Sequence, residues 1–185
     1  MDMEENKLSR PVAHARMFAV VPVVLIAGAV IAFLLGFRTE GRKPMESTWR
    51  THTAAEHEFV VTMPGVLIVN YQTMNFDGQD VTGRSYVASD RGADLSVTAF
   101  RRPDTDTRTF ADVAQDLGMA GDNPTERAGG LTAFTHDTAE DNTRTQAVLL
   151  FHERMMYQMM VKAPAKAFPT KDAERFFASF RRSEN

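Results

Sequence analysis

The chain contains no cysteine. That excludes disulfide staples, thiol nucleophiles, cysteine-ligated zinc fingers and the lipidated cysteine of a bacterial lipoprotein anchor. It says little about compartment. Basic charge is also short: 21 Lys and Arg stand against 24 Asp and Glu, a formal net charge of −3. Residues 1–37 balance Lys7, Arg10 and Arg16 against Asp2, Glu4 and Glu5, so the whole excess falls on the remainder. A mildly acidic domain lacks the dense basic surface of a sequence-independent nucleic-acid binder, and no nucleic-acid partner is expected. The sequence has no internal repeat, no low-complexity run and no G-x-S-x-G elbow. Gly129-Gly130 lacks the spacing of a phosphate loop, and Asp137, Glu140 and Asp141 lack the order of an EF-hand.

What the chain has is one long uncharged run. Met17–Phe37 is 21 residues without a charge; at about 1.5 Å per residue a helix of that length spans roughly 30 Å, the thickness of a bilayer core. Pro22 falls in the first turns, where a missing amide donor costs least. A cleaved signal peptide has a shorter apolar core and a small-x-small site. Ala27-Gly28-Ala29 offers such a site, but in mid-run. A buried soluble helix would carry polar residues on one face, and this run has none. The expectation is an uncleaved transmembrane helix over 17–37, after a cytoplasmic tail over 1–16. The flanking positive charges are nearly balanced: Lys7, Arg10 and Arg16 before, Arg38, Arg42, Lys43 and Arg50 after. A short tail ahead of a folded domain favours the N-terminus inside.

Beyond the run remain about 148 residues, the size of one ordinary domain with a real core. Polar residues 38–56, with Gly41 and Pro44, read as a stalk, with Trp49 near the domain's start, and 57–182 read as the soluble domain. Strands are expected over His57–Met63, Val66–Met74, Val81–Ser89 and Leu95–Phe100, with turns at Pro64-Gly65, Asp77-Gly78 and Asp90-Arg91-Gly92. Phe110, Val113, Ala114 and Leu117 follow helical spacing, with a preceding Thr or Asp as cap. Strands follow over Leu131–Thr138, Thr143–His152 and Met155–Ala163. A last helix over Lys171–Phe180 places Ala173, Phe176, Phe177 and Phe180 on one face, with Thr170 as cap. The apolar runs at 147–151 and 155–161 are continuous, the mark of strands covered on both faces. The expected class is α+β: one transmembrane helix, then a mainly antiparallel sheet with helices on both faces.

Certain residues carry a resemblance. An opening strand reads F-V-V-x-M-P (Phe59–Pro64), a helix holds Phe110, and a strand is led by Gly129-Gly130-Leu131. A hairpin follows with Tyr157 in its second strand, and the final helix ends F-F-A-S-F-R (Phe176–Arg181). Over about residues 49–182 the chain resembles the PsbP-like α/β/α sandwich, the fold of an extrinsic photosystem II protein and of DcrB-type envelope proteins. The resemblance implies an extracytoplasmic, non-enzymatic domain that docks on or stabilises a membrane complex. A transmembrane segment stands where DcrB-type relatives carry a lipidated cysteine. Fold does not assign function by itself.

Candidate chemistry is thin. His52 and His57, with Glu56 and Glu58, are the densest group of potential metal ligands, at a spacing matching no zinc signature. Met155 and Met159 share one strand face, with Met156 and Met160 on the other; soft thioethers suit copper, but such pairs also fill cores. His136-Asp137 is the single adjacent His-Asp pair, which a hydrolase reading could use. Arg101-Arg102 and Arg181-Arg182 end elements and would form a small basic patch if they met. Gly28 and Ala32, with Ala27 and Ala29, permit close packing of the membrane helix on another. No cofactor and no catalytic residue is expected.

The leading expectation is a non-catalytic accessory subunit or assembly factor of a membrane complex, photosynthetic or respiratory. It would sit in the bacterial inner membrane with its domain in the periplasm, its partners being the lipid bilayer and that complex. An envelope module for a ligand or metal is the alternative, and an enzyme the third reading.

Overall fold

A computed structural model of the chain describes residues 48–119, 124–127 and 129–183. The expected tail and transmembrane helix, with Gly28 and Ala32, lie outside the described residues. Among those described, no helix is long and apolar enough to cross a membrane.

Among the described residues ten strands and two α-helices follow in the order β1 (Trp49–Ala54), β2 (Phe59–Pro64), β3 (Ile68–Phe76), β4 (Gln79–Asp90), β5 (Ala93–Arg101), α1 (Phe110–Asp116), β6 (Thr125–Arg127), β7 (Leu131–Glu140), β8 (Thr143–His152), β9 (Met155–Pro164), α2 (Thr170–Ser179) and β10 (Arg181–Arg182). Seven strands form one sheet in the order β3-β4-β5-β9-β8-β7-β6, and β1-β2-β10 form a second. Every described pairing is antiparallel. The molecule is thus a sheet-rich α+β fold.

Tight hairpins fix the large sheet's register. Asp77-Gly78, Arg91-Gly92 and Asp141-Asn142 all have positive φ at both positions, the conformation whose twist matches that of the flanking strands. Central β8 is buried continuously from Ala147 to Phe151, as its unbroken apolar run predicts.

Two cores result, one on each face. Helix α2 and the small sheet cover the first, where Phe59, Met63, Leu95, Leu150, Tyr157, Met159, Phe176 and Phe180 pack together. Helix α1 covers the second, holding Phe100, Val113, Phe134, Leu149, Phe151 and Met156. Phe110 stacks on Phe151 at 4.8 Å between ring centroids. Gly83 serves this second core by lacking a side chain: a Cβ there would lie 2.5 Å from the Phe100 ring.

Three expectations need correction. Residues 49–54, read as the end of a polar stalk, form β1, whose register runs from Trp49 opposite Pro64 to Ala54 opposite Phe59. Thr170 is not the cap of α2: it is the first helical residue, and Pro169 precedes it without a side-chain cap. Arg181 and Arg182 do not simply trail the last helix, because they form β10 against Val60 and Phe59. For α1 the cap is Thr109. Its Oγ1 accepts from the Asp112 amide at 3.1 Å while the Asp112 carboxylate accepts from the Thr109 amide at 2.9 Å.

Candidate interaction groove

The structure disperses most of the residues singled out from sequence. His52 lies on β1 opposite Val61, and His57 ends the short 3-10 turn Ala55–His57. Burial lowers both imidazole pKa values, with the Arg50 charge adding to the effect at His52. Their Nε2 atoms are buried without a hydrogen-bond partner among the described residues, though that of His57 lies 3.8 Å from the Glu56 carboxylate. Glu56, next to His57, is taken by the Arg84 guanidinium and the Tyr86 hydroxyl. No group of three His, Asp or Glu side chains among the described residues is placed to hold a metal. Met159 is fully buried in the first core with Met155 against its margin, while Met156 is buried in the second; the two strand faces serve different cores.

The expected basic patch is divided, and Arg102 must be withdrawn from it. Its guanidinium is 6% exposed and donates from Nε to Asp106 at 3.1 Å and from Nη2 to the Arg108 carbonyl at 2.7 Å. A cation buried this deeply needs a partner, and Asp106 provides one. Arg108 donates to the same carboxylate at 2.8 Å, and mainly for that reason the Asp106 pKa falls to about 2. The cluster ties down the connection from β5 to α1, to which Arg154 adds a bond to the Pro103 carbonyl. Arg182 donates to His152 Nε2 at 2.7 Å. Arg101 is exposed opposite Met155, at the sheet end that also holds His152.

Arg181 has a different setting. It lines a groove of about 730 Å3 between α2 and the β7–β8 hairpin. Leu131, Val148, Phe177 and Phe180 give the groove apolar walls, and Arg127, His136, Asp137 and Glu174 supply polar groups. Asp137 is already held by Arg144 at 2.6 Å and 2.9 Å and by Gln146 at 2.8 Å, so the Arg144 guanidinium lowers its pKa. Burial lowers that of Arg127. Arg127 donates to the Phe177 carbonyl at 3.1 Å. Among the described residues neither Arg127 nor Arg181 is paired with a carboxylate. The arrangement offers shape, apolar surface and two cations with no carboxylate partner among the described residues, of which Arg127 is held by the Phe177 carbonyl. His136 and Asp137 both line this groove, next to Thr135. Sequence reasoning missed the site because its walls come from β6, β7, β8 and α2, which are not contiguous in the chain.

Opposite this groove, across the large sheet, the edge strand β3 pairs only with β4 among the described residues. Its nine residues carry no charge. The exposed large hydrophobic side chains of the described residues all fall in one stretch: Val66 (86%), Ile68 (42%), Val69 (40%) and Tyr71 (71%).

No protein-family model matches this chain, and no curated protein matches it. The domain is similar to the solution structure of cyanobacterial PsbP (CyanoP) from Synechocystis sp. PCC 6803. The TM-score is 0.44 at 15% sequence identity, covering 77% of this chain and 96% of that one. A likeness of this extent carries neither family membership nor function to the chain.

Proposed function

We propose that the chain is a membrane-anchored, non-catalytic accessory subunit or assembly factor of a larger membrane complex. Residues 17–37 hold it as a single-pass helix in a bacterial inner membrane, N-terminus inside, and the domain stands in the periplasm. The groove between α2 and the β7–β8 hairpin receives the partner. That groove is the observation that carries the reading: apolar walls rimmed by polar groups are the anatomy of a docking surface, and its two arginines, Arg127 and Arg181, have no carboxylate partner among the described residues and can meet acidic groups. The cluster around Asp106 is spent on holding a loop and offers no chemistry. The residues that resemble PsbP-like domains, Phe59–Pro64 and Phe176–Arg181, point the same way. Photosynthetic and respiratory complexes are the two partner classes proposed.

The test is purification in mild detergent through a tag after Asn185. The expected result is a membrane complex that co-purifies in fixed ratio and loses stability when the chain is deleted. Arg127→Glu with Arg181→Glu should release it. A chain that runs alone, and whose deletion leaves every membrane complex intact, would refute the proposal.

One observation favours a second reading. The groove's volume lies within the range of small-molecule sites, and its two arginines suit an anionic ligand. In that case the domain is an envelope ligand-binding module. Native mass spectrometry would then find a bound small molecule in the wild-type chain and none in the double variant.

A further inference from the structure

We infer that the corner of the domain formed by the β2–β3 turn and the start of β3 rests on the lipid bilayer, with Val66, Ile68, Val69 and Tyr71 in the interface. The inference rests on the anchored reading above. The described chain begins at Thr48, and the Thr48 carbonyl accepts from the Gly65 amide at 3.2 Å. The linker from the apolar run therefore joins the domain immediately beside the turn that presents Val66. Only residues 38–47 separate Phe37 from Thr48, a reach of at most about 40 Å when fully extended. The root of that lead is the part of the domain tethered nearest to the membrane.

The surroundings fit lipid. Tyr71 is a residue type enriched at membrane interfaces, where an apolar body meets a polar tip. Exposed Arg50 sits opposite Met63 on β1, next to Thr48 and the turn, and is placed to meet anionic headgroups. A strand added along β3 explains less. Val66, the most exposed of the four, precedes the strand, and the far half of β3 exposes Thr73 and Asn75. Ile68 also pairs with Val87 on one face while Val69 pairs with Tyr86 on the other, so the apolar groups wrap a corner rather than line one face. At about 4.8 Å per strand, this corner is roughly 24 Å from β7 and the groove. Seating it on lipid leaves the groove open to a partner.

Absence of cysteine makes the test direct. Full-length chains carrying Val66→Cys, Tyr71→Cys or, as control on exposed β6, Glu126→Cys are labelled with a small fluorophore. They are reconstituted into phosphatidylcholine–phosphatidylglycerol vesicles whose acyl chains are brominated. The expected result is retention through alkaline washing, with quenching at 66 and 71 about threefold or more above that at 126. Retention with equal quenching at all three positions overturns the inference and leaves the anchor standing. Loss of the protein in the wash overturns the anchor, and the inference with it. Labels at 66 that self-quench between copies, untouched by bromine, assign the corner to a second copy and overturn the inference.

Discussion

Asp106 is the residue on which the loop between β5 and α1 depends. Its carboxylate, fully buried, accepts from both Arg102 and Arg108. Asp106→Ala strands the Arg102 guanidinium without a carboxylate. The expected loss is about 3 kcal/mol, read as a lower midpoint in urea. Titration gives an independent check. The folded pKa is held at about 2, below an ordinary value of 3.8. The carboxylate therefore contributes its full stability above about pH 4 and loses it as pH falls toward 2. The amount at stake is on the order of 2 kcal/mol. Urea midpoints should fall between pH 4 and 2 for the wild type and be flatter there for Asp106→Ala. Gly83 is the second such position. Gly83→Val would drive a side chain into the Phe100 ring and toward the Ala99 carbonyl, at a cost of about 1–3 kcal/mol, measurable in the same way. Neither residue announced its role in the sequence. Arg101-Arg102 reads as a solvated pair ending a strand, and only the fold shows that Arg102 turns inward.

Elements whose determinants are local were legible. Helix α1 carries its periodicity and its cap within nine residues, Thr109–Leu117. Thr109→Ala should cost about 1 kcal/mol by removing the capping bond, seen as reduced protection of the Asp112 amide in hydrogen exchange and a small drop in urea midpoint. Hairpins were legible where Asp77-Gly78 and Arg91-Gly92 write their turn chemistry into adjacent positions. Strand β1 was not. Its residues Trp49–Ala54 are mostly polar and half solvated, so nothing in the segment itself separates it from a linker. It becomes a strand because β2 supplies an edge. Strand β10 has two arginines and exists only through its bonds to the same β2. The groove was illegible for the same reason on a larger scale: Arg127 and Arg181 are 54 positions apart in the chain and line one groove only because β10, after α2, comes to lie beside the β6 edge of the large sheet.

For the molecule as a whole, the large sheet separates two surfaces of different character. One edge is uncharged, with its exposed apolar side chains gathered at the end near Thr48. The other side carries a groove with two cations that no described carboxylate neutralises. An anchored adaptor has this division, with one side toward its membrane and one toward its partner. Removing residues 17–37 should move the protein from the membrane to the soluble fraction, assayed by fractionation and blotting, without changing its urea midpoint. Docking of the domain through the groove onto a membrane complex is tested by the migration of the chain, at native abundance, on a native gel of detergent-solubilised membranes. Wild-type protein is expected to run with a large complex, and Arg127→Glu with Arg181→Glu to shift it to the position of the free chain. Wild-type protein found only at the free position, or a double variant that still runs with the complex, would contradict it.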